Sequence, residues 1–248
     1  MNLSFYISAT GAHQQQESLT VVANNVANVN MHGFKAARSR FSSLMYQTMK
    51  AVEEEEIRYG SGGILFTTDT KFDPGTPVST GLSQDYFIEG DGFFAIVDLN
   101  TNEVTFTRNG SFCMSSLERP TGEVDGDGNP IMEHIYYLSD GEGRFVLSTE
   151  GGMIEMDDFN EEQPVGVFDY PNYNGMVHKS GARFDVLEKN GALKAGTGKL
   201  KRRFLESSNV ELAEEITKMI ETQRVYTMAL KMMGTSDEIE TSINQLRT

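Results

Sequence analysis

The 248-residue chain holds one cysteine, Cys113, and no tryptophan. A single cysteine excludes an internal disulfide framework and any zinc site built from several thiolates. No run of about 18 apolar residues occurs, so no helix is expected to span a bilayer and membrane insertion is excluded. The first residues, MNLSFYISATGAHQQQ, lack a basic segment ahead of an apolar run and lack a small-residue cleavage site. A cleavable general-secretion signal is therefore not expected. Hydrophobic residues make up 38% and aromatics 10%, which suffices for a packed core and does not fit a disordered tail.

The net charge of −15 is unevenly placed. Residues 1–52 carry four basic side chains against one acidic, Glu17. Residues 53–170 carry five basic against 25 acidic, and residues 171–248 carry 12 against 10. All the acidity therefore lies in the middle, between slightly basic ends. Such an asymmetry predicts a solvated middle and ends that meet something else. A segment this acidic is no partner for nucleic acid.

Both ends have helical periodicity. Phe5, Ser8, Ala12, Gln15, Leu19, Val22, Val26 and Val29 recur at spacings of three and four, the seam of a coiled coil. Gly33 stands where a left-handed cap would end that helix. A second, shorter amphipathic run follows, with Phe34, Phe41, Leu44, Met45 and Met49 apolar. At the other end Leu212, Ile216, Met219, Gln223, Tyr226, Leu230 and Met233 keep strict heptad spacing, and Ser208 with Glu211 fits a capping box. Past Gly234 the stripe resumes out of phase at Ile239, Ile243 and Leu246, which predicts a kink near the glycine.

The middle consists of short apolar or alternating runs divided by Gly, Asn and Asp, among them Ile64–Thr67, Tyr86–Glu89, Phe93–Asp98, Val104–Arg108 and Ile131–Leu138. Short strands at this spacing read as an all-β domain. The predicted fold class is α+β, with terminal N- and C-helices forming a coiled-coil domain around an inserted all-β domain. The expected segments are an N-terminal helical region over 1–52, a linker over 53–75, the β domain over 76–200 and a C-terminal helix over 201–248.

No catalytic or cofactor site emerges. His13, His32, His134 and His178 are isolated, with no His-Glu-x-x-His pair to hold zinc. Asp125-Gly126-Asp127-Gly128-Asn129 lacks the Gly and Glu that a calcium loop needs at its sixth and twelfth positions, where Pro130 and Tyr136 stand. Gly196-Thr197-Gly198-Lys199 lacks the earlier glycine and following hydroxyl of a phosphate loop. The acidic run Glu53–Glu56 reads as a solvated helix end or linker. No catalytic residue, cofactor or metal is therefore expected.

Three stretches carry a family resemblance. The first is Ala23-Asn24-Asn25-Val26-Ala27-Asn28 followed by Gly33-Phe34-Lys35. The second joins Gly90-Asp91-Gly92-Phe93-Phe94 to Phe106-Thr107-Arg108-Asn109-Gly110-Ser111-Phe112. The third runs from Leu205-Glu206-Ser207-Ser208-Asn209-Val210 to Met219-Ile220-Glu221-Thr222-Gln223-Arg224-Val225-Tyr226. In this order they resemble the flagellar rod and hook axial proteins. Phe106 stands where Tyr is commoner, and Met114–Pro120 lengthens the stretch after Phe112 as though one loop were altered.

The resemblance implies a non-enzymatic structural subunit of the bacterial flagellar basal-body rod, located in the cell envelope and exported without signal cleavage by the flagellar type III apparatus. Its partners would be further copies of itself in a helical polymer and adjacent rod or hook proteins. The expected assembly interface comprises Leu19, Val22, Asn24, Asn25, Val26, Asn28, Val29, Leu212, Ile216, Met219, Gln223, Tyr226, Leu230 and Met233. The amides of Asn24, Asn25 and Asn28 would bond between packed helices. The alternative from another class is a secreted, adhesin-like β domain on a coiled-coil stalk.

Overall fold

A computed structural model describes residues 3–45, 47–50, 56–60, 62–124, 130–156 and 162–246. The chain divides into two compact units, and it passes between them four times. One comprises Met1–Val29, Ala36–Lys71 and Val210–Thr248, the other Asn30–Lys35 and Phe72–Asn209. No described helix is long and apolar enough to cross a membrane.

The first unit contains α1 (Leu3–Ala27), β1 (Ala37–Ser43), β2 (Gln47–Lys50), β3 (Glu56–Tyr59), β4 (Gly63–Thr70) and α2 (Leu212–Leu246). Strand β1 pairs antiparallel with β4, and β2 with β3. An extra residue in β4 shifts the register between Arg40 and Phe41. The helices run antiparallel, since Ser4 near the start of α1 meets Ser236 and Asn25 near its end meets Glu215.

The second unit is β-rich. Its strands are β5 (Pro77–Ser79), β6 (Tyr86–Glu89), β7 (Phe94–Asp98), β8 (Glu103–Thr107), β9 (Phe112–Val124), β10 (Pro130–Asp140), β11 (Phe145–Val146), β12 (Phe168–Asp169), β13 (Val177–His178), β14 (Arg183–Asp185), β15 (Lys194–Ala195), β16 (Lys199–Arg202) and β17 (Phe204–Glu206). Seven of them form one sheet in the order β13-β14-β8-β7-β11-β10-β9. Strand β7 lies at its centre, and its sequence explains why. Successive side chains of a strand point to opposite faces. Phe94 and Ile96 enter one apolar cluster with Leu138, Val146 and Ile154, while Phe93 and Ala95 enter a second with Phe106, Tyr170 and Phe184. A strand covered on both sides must be apolar throughout, which is why 93–97 shows no alternation.

The α+β class holds: a helix at each end and strands between. Several finer expectations do not. Strands β1 and β2 stand where a second, shorter helix was expected, and strands β3 and β4 occupy much of the expected linker over 53–75. Apolar residues at Phe41, Leu44 and Met45 are too few to distinguish the two periods, and pairing with β4 decides the matter. The C-terminal segment begins with strands β16 and β17, and the first hydrogen bond of α2 runs from Glu215 N to Glu211 O. The helix therefore opens at Glu211, three residues beyond the expected cap at Ser208.

Helix α2 continues without a break through Gly234. Gly33 has a left-handed φ of +69°, but it lies in a turn six residues past the end of α1 and caps nothing. The lengthened stretch at Met114–Pro120 is part of β9, which pairs with β10 in a long hairpin. The calcium-loop look-alike at 125–129 and residues 53–55 of the acidic run lie outside the described residues.

The two-sided core gives a direct expectation. Phe94 is fully buried whereas Tyr136 is 45% exposed. Phe94→Ala should cost about 3–5 kcal/mol of unfolding free energy, and Tyr136→Ala about 0.5 kcal/mol. Urea denaturation of the two variants checks this; equal midpoints would show that the sheet has no such core.

Candidate functional site

The three stretches that carry the resemblance meet at buried charged groups. In the β-rich unit, Glu206 from β17 is 1% exposed and accepts from several donors at once. Lys35 Nζ lies 2.5 Å from Glu206 Oε1 and also donates to the Asp73 carbonyl at 2.8 Å. Gly75 N–H donates to the same carboxylate oxygen at 2.8 Å, and Arg108 Nη1 lies 3.4 Å from Glu206 Oε2. Burial pulls the Lys35 ammonium below its ordinary pKa, and Glu206 opposes that pull. The Arg108 guanidinium stacks 5.3 Å over the Phe93 ring and donates to the Gly90 carbonyl. Thus Gly-Phe-Lys, Gly-Asp-Gly-Phe-Phe, Thr-Arg-Asn-Gly and Leu-Glu-Ser converge on one carboxylate.

Glycines permit the approach. Gly33 N–H donates to the Glu206 carbonyl at 2.8 Å, and a Cβ there would collide with the Asn109 backbone. A Cβ on Gly110 would collide with the Tyr86 carbonyl. Phe34, 1% exposed, lies 5.8 Å from the His178 ring, which sits 4.5 Å from Phe184. Burial holds the His178 imidazole below its usual pKa.

The helical unit has its own polar node. The Asn25 amide brackets Ala37, donating to its carbonyl at 2.7 Å and accepting from its N–H at 2.9 Å. It also donates to Glu215 Oε2 at 3.0 Å. Glu215 is 5% exposed and receives Lys218 at 2.9 Å, and Lys218 also reaches Glu214 at 2.8 Å. One side chain therefore ties α1 to the start of β1 and to α2.

Of the residues expected at the interface, Val22 and Asn25 are buried, and Leu19, Val26, Asn28 and Val29 are half-buried. Asn24 is exposed and bonds only to Asn28, one turn on, so of the three asparagines Asn25 alone reaches the other helix. On α2 Glu215, Met219, Thr222, Tyr226, Ala229, Met233 and Ser236 are covered at unbroken heptad spacing, and Lys218 is half-buried beside Glu215. Met219, Tyr226 and Met233 belong to both stripes. Leu212, Ile216, Gln223 and Leu230 lie exposed beside it. The sequence reading had followed an outer stripe, because it is the more apolar of the two. It gave no role to Lys35, Arg108, Glu206 or Glu215, although single charges in the runs Gly-Phe-Lys, Phe-Thr-Arg and Phe-Leu-Glu were the available signal.

Residues 5–35 match the family model described as flagella basal body rod protein, and residues 201–246 match the flagellar basal body rod FlgEFG protein C-terminal model. The chain belongs to the family of flagellar basal-body rod proteins. Its similarity to individual members extends over almost its whole length. Flagellar basal-body rod protein FlgG of Buchnera aphidicola subsp. Acyrthosiphon pisum is 31% identical over 264 aligned residues, covering 98% of this chain and 99% of that protein. FlgG of Bacillus subtilis is 31% identical over 260, covering 95% and 96%. Flagellar basal-body rod protein FlgF of Caulobacter vibrioides is 30% identical over 254, covering 98% and 96%.

The node predicts an asymmetric mutational response. Glu206→Met leaves two buried cations without their carboxylate and should cost about 3–5 kcal/mol. Lys35→Met in the Glu206→Met background should recover part of that loss, and a double-mutant cycle by urea denaturation reads the coupling. A cost below about 1 kcal/mol for Glu206→Met would show that the node is peripheral to stability.

His178 predicts a pH effect. Its folded pKa lies below the unfolded value of 6.5, so the unfolded chain binds the extra proton more readily. Its stability contribution is complete above that value and declines as pH falls below it. His178→Gln should flatten the fall in melting temperature between about pH 7 and about pH 5. An unchanged slope would contradict the assignment.

Proposed function

We propose that the chain polymerises into a helical tube, one subunit of the flagellar rod, and that its role is to transmit torque mechanically. In this reading α1 and α2 form an antiparallel coiled coil that packs against the same helices of neighbouring copies, with adjacent rod or hook proteins at the ends of the stack. Export without signal cleavage through the flagellar apparatus is part of the same reading. The names of its relatives, flagellar basal-body rod proteins, support it.

The observation that carries the proposal is the distribution of apolar side chains on α2. Leu212, Ile216, Ile220, Leu230, Ile239 and Ile243 are between 41% and 58% exposed, and Met228 and Met232 exceed 60%. The covered stripe, by contrast, includes Glu215, Thr222 and Ser236. A helix that leaves an apolar stripe exposed beside its covered one has more partners than one chain provides. An open, heterologous contact repeated from copy to copy generates a fibre.

The test compares Ile216→Asp with Ile216→Leu. On the free chain Ile216 is 44% exposed, so either change should alter unfolding by about 0.5 kcal/mol or less. In a packed polymer the aspartate would be buried without a partner at a cost of several kcal/mol. The expected outcome is normal folding of both variants, incorporation of the leucine variant into basal bodies and exclusion of the aspartate variant, read by motility and by immunoblot of isolated rods. Equal incorporation of both Ile216 variants would remove the physical basis of the polymer.

A further inference from the structure

Strand β13 forms one edge of the seven-stranded sheet and is two residues long. In the sheet it pairs with β14 alone, Val177 opposite Asp185 and His178 opposite Phe184. A short edge strand with few partners is where a sheet opens at least cost.

The side chain that seats this strand is an imidazole. His178 lies 4.5 Å from the Phe184 ring and 5.8 Å from the Phe34 ring, and both phenyl groups are almost fully buried. Phe34 is fixed from its own side, because Gly33 N–H and Lys35 are both bonded to Glu206. The His178 ring bonds the Gly181 backbone, while its Nε2 is buried without a hydrogen-bond partner. A neutral imidazole carries one N–H and can leave the other nitrogen bare, whereas an imidazolium carries two donors.

The surroundings offer a second donor nothing. On its own strand's exit Lys179 is engaged by Glu103 and Asp185. On β14, Arg183 and Asp185 flank Phe184 and therefore take the opposite face. The segment 30–35 brings His32 and Lys35, and Arg108 follows β8; Lys35 and Arg108 share the Glu206 carboxylate. Phe72, 5.3 Å from Phe184, brings Asp73, whose carbonyl accepts from Lys35. Among the described residues no carboxylate pairs with His178, and burial dominates its titration. The phenyl faces attract a cation only weakly compared with the water it gives up.

We propose that His178 makes β13 a pH-sensitive latch: the neutral ring seats the strand against Phe34 and Phe184, and the protonated ring releases it and uncovers both. The closed form binds the proton less readily than the open one. Closure is therefore complete above the ordinary imidazole value of 6.5 and weakens as pH falls below it. The latch lies within the β-rich unit and operates whether or not the chain polymerises.

The test is amide hydrogen exchange of the full chain, read by mass spectrometry at about pH 7.5 and about pH 5, against His178→Phe, which cannot titrate. The reporters are Met176 N–H, bonded to the Tyr173 carbonyl, and Lys179 N–H, bonded to the Arg183 carbonyl. Dividing the exchange rate of the unaltered chain by that of the variant at each pH cancels the chemistry of exchange itself. For a peptide containing both reporters this ratio should rise about tenfold or more at the lower pH. For a peptide covering β7 it should stay the same. An unchanged ratio at the reporters overturns the latch. An equal rise in β7 overturns it too, because titration would then loosen the whole unit and not one strand. If His178→Phe melts below the unaltered chain at the higher pH, His178→Leu replaces it and the same outcomes decide.

Discussion

In the β-rich unit one carboxylate holds together segments that lie far apart in the sequence. Glu206 stands on β17 near the end of the domain, yet its partners come from residues 35, 75 and 108. A charge taken out of water is costly unless its lone pairs are filled. Glu206 satisfies this with an ammonium, a guanidinium and a backbone N–H. The arrangement leaves one formal positive charge in excess, and carbonyl oxygens of Asp73, Ile88 and Gly90 accept from the two cations. The cluster fixes which loops may sit together and how near. The glycines at 33 and 110 follow from that constraint, because the backbones approach too closely for a side chain.

That dependence alters what the recurrent motifs mean. The three asparagines of the helix are expected at an interface, and the Gly-Phe-Lys that follows them has no expected role. In the folded chain the lysine faces inward at 0% exposure and the second asparagine is held at 1%. Asn25 satisfies both polar groups of Ala37 and still reaches Glu215, so its amide is fully engaged inside one chain. These residues specify how the chain folds. The apolar side chains left exposed stand on less motif-like stretches: the outer stripe of α2, and Ile64 and Phe66 of β4.

What was legible in the sequence follows from the range of the forces involved. The helix at each end shows in a local period, and the strands of the β domain show in runs such as Tyr86–Glu89, which is β6 to the residue. The strand pairing over 37–70 was not legible. Those strands owe their conformation to pairing across about 30 residues, and a short apolar pattern cannot separate a strand from a helical turn. The phase of α2 was ambiguous for a related reason. A helix with two adjacent stripes offers two heptad readings, and the greasier one need not face its own partner. The buried charges were hidden because a lysine or glutamate in a sequence reads as surface until its partner, here 171 residues away, is located.

The two units differ in how far each is self-sufficient. The β-rich unit buries phenylalanines on both faces of one sheet and closes its buried carboxylate with donors from its own segments. The helical unit does neither so fully. The α1–α2 contact includes Ser4 against Ser236 and Asn25 against Glu215, while Ile216, Ile220 and Ile239 point away from it. Polar contacts of this kind set register more than they add stability, and helices with little tertiary cover are marginal in water. In the proposed polymer the order of the helical unit is therefore linked to assembly by mass action. Each neighbour that covers an apolar stripe stabilises the helices that present the next one, whereas the β-rich unit gains little from the same event. Rigidity in a rod of such subunits would then arise where the chain alone is least complete.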